Sequence, residues 1–235
     1  MQLIQIKEIK GKLILKSGLH IGSGDTEMHI GGTDNPVIKH PHTQEPYIPG
    51  SSLKGKVRAL LEMESGLMPR TKGEPLQARL LKSLEGKYRE KCEKILKIFG
   101  SSGADSEDIS GFALGPTRVS FADCQLNQEW WETARNNRWD LFEVKSENAI
   151  NRIEGTARNP RFTERVVSGA EFDMTITLKL LGEDEDALFD CLLDGLKLLE
   201  MDALGGSGSR GYGRIELQFH DPEVAERFKN RVPFA

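Results

Sequence analysis

Apolar side chains recur along this chain with two distinct periods. Residues 3–16, LIQIKEIKGKLILK, alternate locally between apolar and polar positions, and the pattern predicts a strand. From Phe172 the alternation is strict: Phe172, Met174, Ile176, Leu178 and Leu180 line one face of a half-buried strand. Residues 115–126, GPTRVSFADCQL, and 214–219, RIELQF, read as two further strands. Helical spacing takes over elsewhere. Leu53, Val57, Leu60 and Leu61 form a stripe behind Ser51 or Ser52, either of which suits an N-cap. Gly55 weakens that helix by about 1 kcal/mol relative to Ala. Residues 76–99 carry Leu80, Leu81, Leu84, Tyr88, Cys92, Ile95, Leu96 and Phe99 at helical intervals. Residues 184–200 place Leu188, Leu192, Leu196 and Leu199 on one side, with acidic residues favouring the first turn. A last helix is expected around 222–230.

Three segments lack a period. Residues 17–50 are punctuated by glycine and proline, and a loop of that length in a compact domain is usually functional. GSSGADSEDISG, residues 100–111, reads as a mobile acidic loop, and 144–169 is polar and Arg-rich. With these set aside, the order is strand–helix–strand followed by strand–helix–strand. That predicts an α+β fold with a ferredoxin-like, RRM-like palm, in which two βαβ halves share one antiparallel sheet. Fold alone assigns no function. The length, 235 residues, fits a single large domain carrying insertions.

Composition sharpens this. Hydrophobic residues make up 37% and charged residues 29%, enough for a core and incompatible with a disordered tail. No run of ~18 apolar residues is present, so no membrane partner is expected. The opening MQLIQIKEIKGK puts charges where a signal peptide needs an apolar run. Three dispersed cysteines, Cys92, Cys124 and Cys191, without CxxC, suit a reducing, cytoplasmic setting. The net charge of −4 argues against coating nucleic acid by bulk charge. Residues 39–98 nonetheless hold thirteen Lys/Arg against seven Asp/Glu. Acidic blocks elsewhere hide this basic stretch, which by itself reads equally as a solvated surface.

Candidate chemistry concentrates in two loops. GGSGSRGYGR, residues 205–214, has five glycines in ten, and its N–H groups can converge on a phosphate, with Arg210 and Arg214 adding charge. It is neither a Walker A loop nor a Rossmann fingerprint; the alternative is a mobile turn. The long loop ends in PGSSLKGKVR, where Lys54 and Arg58 stand four apart behind Ser51 and Ser52 at a helix N-terminus. That set suits a phosphodiester backbone, although an ordinary capped helix has the same look. Asp34, in GGTDNPV, reads either as an Asx-turn or as a lone carboxylate for Mg²⁺, which often needs only one or two protein carboxylates. His40 and His42 lack a third ligand at zinc spacing, and His20 is a weak candidate base. No GxSxG, HExxH or cysteine nucleophile motif is present.

Five blocks, LHIGSG, GGTDNPVIKHP, PYIPGSSLKGKVR, ENAINRIEGTARNPRFTERVVSGAEF and LGGSGSRGYGRIEL, resemble in content and order the RAMP superfamily of CRISPR-associated proteins. More narrowly they resemble the repeated backbone subunit of the type III-A (Csm) effector complex. The resemblance implies one domain over 1–235: a palm from about 1–16, 50–64, 112–125 and 170–220, finger and lid insertions at 17–49 and 65–111, and a thumb-like hairpin at 144–169. It implies copies stacked in a filament on a guide RNA (crRNA), beside the other subunits of that complex. It implies cleavage of target RNA at regular intervals, with Asp34 as catalytic residue and as ligand of Mg²⁺ or another divalent cation. It places guide contacts at Ser51, Ser52, Lys54 and Arg58, at Asn148 and Arg152 of the block that begins with Glu147, and at Gly206, Gly208, Arg210, Gly211 and Arg214. A non-catalytic guide-RNA scaffold is the alternative, and a stand-alone guide-processing nuclease would need an acid/base set that only His20 begins to supply.

Overall fold

The computed structural model describes residues 2–24, 35–101, 114–182 and 186–234. In chain order the elements are β1 (Gln5–Leu15), α1 (Gly50–Glu64), α2 (Met68–Thr71), α3 (Gly86–Phe99), β2 (Val119–Phe121), α4 (Gln128–Asn137), β3 (Phe142–Ile150), β4 (Ala157–Val166), β5 (Glu171–Leu180), α5 (Asp186–Met201), β6 (Ile215–Phe219) and α6 (Pro222–Lys229). The fold is α+β. A four-stranded sheet runs β2-β5-β1-β6 with every neighbour antiparallel, and β3 and β4 form a separate two-stranded sheet.

Period-two alternation decides which face of the large sheet is dry. Ile9, Leu13 and Leu15 of β1 join Phe172, Met174, Ile176 and Leu178 of β5 in the core, while Ile6, Glu8 and Lys10 stay exposed. The stripes Leu53, Val57, Leu61 of α1 and Leu188, Leu192, Leu196, Leu199 of α5 cover that face.

Several expectations need correcting. Neither Ser51 nor Ser52 caps α1: the N-cap is Pro49, and Asp123, beyond β2, accepts the Gly50 N–H at 2.7 Å. A side chain at Gly50 would strike the Phe121 carbonyl oxygen at 2.2 Å, so the close approach that allows this cap requires glycine. The 76–99 run is not one helix. A 3-10 turn over Ala78–Ser83 is separated from α3 by Leu84 and Glu85 in extended conformation, and Tyr88 faces outward. The 115–126 strand shrinks to three residues, with Cys124 and Leu126 making single bridges to Ile48 and Phe172. Helix α4 was not foreseen, although Asn127 caps it by accepting the Trp130 N–H. Residues 102–111 of the expected acidic loop lie outside the described residues.

The aperiodic 144–169 stretch is a hairpin whose alternation is disguised by a bulge. Pairing shifts between Glu147 and Ala149; opposite the shift stand Asn159, at φ 51°, and Pro160, which has no N–H to give. Its far end packs on little, and Ile153 is 96% exposed. Limited proteolysis of the RNA-free chain is therefore expected to cut within 151–156 before it cuts β1, α1 or α5, and mass spectrometry of the first fragments checks this. A first cut inside any of those core elements would contradict it.

Candidate functional site

The N-terminus of α1 presents one set of expected residues. Ser51 is exposed, and its N–H and hydroxyl have no hydrogen bond among the described residues; the Ser52 N–H turns back to the Pro49 carbonyl at 3.0 Å. Lys54 forms no ion pair among the described residues, and its pKa is lowered by partial burial and by the Arg58 charge. An unpaired, half-buried ammonium near the free Ser51 N–H at a helix N-terminus favours an anion.

Arg58 does not join this set. Its Nε donates to Glu62 Oε1 at 2.7 Å and its guanidinium donates again to the Leu76 carbonyl at 2.9 Å. Glu62, 4% exposed, also accepts the Leu76 N–H at 3.1 Å. Four residues apart on a helix face, Lys54 and Arg58 look equivalent in sequence, but a buried carboxylate takes up only the second.

The glycine-rich run differs in detail from an open phosphate cradle. The Gly206 N–H donates to the His20 carbonyl, the Arg210 N–H to Ser207, the Gly211 N–H to Gly208 and the Gly213 N–H to Gly18. With the Arg214 N–H donating to Ser17 Oγ at 3.0 Å, five of its N–H groups are engaged inside the chain, and Gly208–Arg210 forms one 3-10 turn. At Gly213, φ is 69° and an added Cβ would lie 1.9 Å from the Leu204 carbonyl oxygen, which is why a glycine stands there.

The hairpin closes over this run through alternating charges. Tyr212, fully buried, lies under Lys145 Nζ at 4.4 Å and the Arg165 guanidinium at 4.9 Å from its ring centre; burial pushes its hydroxyl pKa up. Arg165 pairs with Glu143 at 2.8 Å and Arg210 with Glu147 at 2.5 Å, and Arg210 holds the Glu147 carboxyl below its ordinary pKa. An open cleft of about 540 Å³ results, lined by Glu147, Asn148, Ala149, Asn159, Arg161 and Arg210. Two sequence-distant expected residues, Asn148 at the bulge and Arg210, therefore face one cleft. Gly208 and Gly211 bracket Arg210, Arg214 is exposed at the end of the run, and Arg152 is exposed at the hairpin turn. The α1 surface adjoins the start of the run, because Lys56 pairs at 2.7 Å with Asp202, just before it.

Asp34 lies outside the described residues. The chain that follows it is anchored: the Asn35 carbonyl accepts the Glu164 N–H at 3.1 Å, and Gly22 bridges to Val37. His20 Nδ1 donates to the Glu164 carbonyl at 2.7 Å, so Nδ1 carries the proton. Among the described residues no group of three His, Cys, Asp or Glu side chains is placed to hold a metal ion, and no helix is long and apolar enough to cross a membrane. The cysteines are free, with burial pushing the Cys92 thiol up to about 11 and those of Cys124 and Cys191 up to about 12.

The RAMP superfamily model matches residues 12–216. A curated relative from Methanothermobacter thermautotrophicus, the CRISPR system Cms endoribonuclease Csm3, is 40% identical over 93% of this chain and 85% of its own. This chain belongs to the Csm3 family of the RAMP superfamily. The Csm3 endoribonuclease of Mycobacterium tuberculosis is 37% identical over 89% of this chain and 85% of its own. Among solved structures, a Csm3–Csm4 subcomplex from a type III-A CRISPR–Cas interference complex contains a chain aligned over 98% of this one and 86% of itself, at 27% identity and TM-score 0.55. The crystal structure of Methanopyrus kandleri Csm3 shares the fold, with TM-score 0.56 at 24% identity over 93% of this chain and 78% of that one.

Reading residues one at a time missed Lys145, Glu164, Arg165 and Tyr212, although the last three fall in the quoted family blocks. The contrast between Lys54 and Arg58 is testable. Lys54→Ala is expected to leave the melting temperature nearly unchanged and to reduce the salt dependence of RNA binding by roughly one unit of slope per copy bound. Arg58→Ala is expected to cost about 3–5 kcal/mol in denaturant unfolding, because it leaves Glu62 buried and unpaired. Equal effects of both changes on stability would refute the distinction.

Proposed function

We propose that this protein is the guide-RNA-binding backbone subunit of a cytoplasmic type III-A CRISPR ribonucleoprotein and that it cuts target RNA as a divalent-metal-dependent endoribonuclease. The carrying observation is 40% identity to a curated Csm3 endoribonuclease across nearly the whole chain. In this reading the four-stranded unit is a ferredoxin-like palm, supported by its strand order and its two βαβ halves. Segments 17–49 and 65–111 are finger and lid insertions, and the β3–β4 hairpin is the thumb. Copies stack in a filament along the guide, next to the other subunits of the complex.

The guide backbone runs over the α1 N-terminus, with Ser51, Ser52 and Lys54 as contacts, and past Arg210, Arg214 and the hairpin residues Asn148 and Arg152. Arg58 supports that surface from inside through Glu62. These contacts hold phosphate and read no base, so any guide sequence fits. Target RNA is selected by pairing with the guide.

Cleavage is in-line attack of a ribose 2′-oxygen on the adjacent phosphorus: the 2′-O–P bond forms, the P–O5′ bond breaks, and the 5′-oxygen leaves as a hydroxyl. In this reading the donors for Mg²⁺ would be Asp34, RNA phosphate and water. Such a cation supplies neutralisation of the charge that develops at the phosphate. The chain's part is geometric: it holds the guide, and hence the target strand, in a fixed register, so that one Asp34 per copy gives one cut per filament step.

In assembled complexes Asp34→Ala is expected to leave target affinity within a few-fold. Cleavage at every site together should fall by about 10²–10⁴-fold. Chelator should reproduce the loss with the unmodified protein. Affinity and cleavage rate are measured on the same sample. Undiminished cutting by the variant would make the protein a guide-RNA scaffold.

A further inference from the structure

Glu164, near the end of β4, makes contacts that the sheet does not require. Its side chain is 12% exposed, and a carboxylate so far removed from water is costly unless its oxygens are satisfied. Both oxygens are satisfied, and by one stretch of chain: Oε2 accepts the Val37 N–H at 2.9 Å and Oε1 pairs with Lys39 Nζ at 2.9 Å. The backbone of the same residue holds Asn35 through its N–H and His20 through its carbonyl. Lys39 is fixed in turn over the Phe142 ring, 4.1 Å from its centre. One residue of the hairpin therefore grips both banks of the long 17–49 loop.

Ordinary strand pairing explains the backbone half of this. In the hairpin, Glu164 stands opposite Val144, where a threonine or valine would pair as well. The carboxylate serves the loop instead. We propose that Glu164 is a positioning residue for target cleavage: through Val37 and Lys39 it fixes the chain that directly follows Asp34 in sequence. This rests on the reading of Asp34 as the cleaving residue. A displacement of about 1 Å at a reacting group can cost 10²-fold in rate, so a rigid anchor beside such a residue has kinetic value. Glu164→Ala deletes both side-chain contacts and leaves the β3–β4 pairing intact. Glu164→Gln keeps an acceptor for the Val37 N–H and loses the ion pair.

Complexes assembled with guide RNA from the unmodified chain, Glu164→Ala, Glu164→Gln and Asp34→Ala test this. Three readings are taken on each: target affinity, cleavage rate at saturating target, and the Mg²⁺ concentration giving half that rate. Glu164→Ala is expected to keep target affinity within about threefold, lose about 10- to 100-fold in saturated rate, and need more Mg²⁺. Glu164→Gln is expected to recover to within about two- to fivefold of the unmodified rate. An Ala complex that cuts at the unmodified rate overturns the proposal. So does affinity falling in step with rate while Gln is no better than Ala, which is the signature of a merely structural residue. Where the Ala chain does not assemble, a Gln complex with unchanged rate and unchanged Mg²⁺ requirement overturns it. Normal cutting by Asp34→Ala would instead sink the cleavage reading, whereas a dead Asp34→Ala beside a fully active Glu164→Ala sinks only the positioning role.

Discussion

The pairing of β1 with β5 is the constraint on which the rest hangs. These two strands, far apart in the chain, run antiparallel from Gln5 opposite Leu180 to Ile14 opposite Glu171. Alternation buries the same face of both, and a slip of one residue would set Leu13 and Phe172 on opposite faces, turning one strand's apolar set out to water. At one end of this pair three excursions meet. Leu15 exchanges backbone hydrogen bonds with Gly169 and Ala170, where the hairpin returns, and pairs with Ile215, where the glycine-rich run ends. The long loop starts at the same place, with Lys16 and Ser17 donating to the Arg214 carbonyl. Groups more than a hundred residues apart are thereby held together, and their closure entropy is met by the hydrophobic core of the sheet, not by the site.

Charge is distributed to match. Of the many cations in 39–98, Lys39, Lys56, Arg58, Lys91 and Lys97 are neutralised by carboxylates within the chain. The basic block in the sequence is therefore less basic at the surface than its count suggests. Lys54, Arg152, Arg161 and Arg214 have no carboxylate partner among the described residues and remain for an external anion, whereas Arg158 and Arg165 pair with Glu154 and Glu143, and Arg210 is shared with Glu147. In the proposed assembly such a sparse set suffices, since one RNA meets it repeatedly along a filament, and a net charge of −4 is no obstacle.

Much of this protein was legible in its sequence because the period of hydrophobic burial is a local property. The strict alternation from Phe172, the leucine stripe of α5 and the order of elements each follow from which side chains avoid water. The family blocks likewise pointed to the functional loops and to membership of the Csm3 family. Where short-range signals were weak, the reading faltered: a bulge at Asn148 hid the hairpin's alternation, and α4 went unread although Asn127 had marked its start.

Tertiary structure alone decided which polar groups are spent and which are free. Lys54 and Arg58 carry the same charge four residues apart, yet Glu62 and the Leu76 backbone claim one and leave the other. The N–H groups of the glycine-rich run looked available until His20, Ser207, Gly208, Gly18 and Ser17 supplied acceptors for five of its donors. Glu164 read as one charge in an Arg-rich stretch until folding set it against Val37 and Lys39. The physical reason is common to all three. Burial follows from a residue's own chemistry and that of its near neighbours, whereas a hydrogen bond or ion pair needs a partner at about 3 Å, and the fold decides which distant residue arrives there.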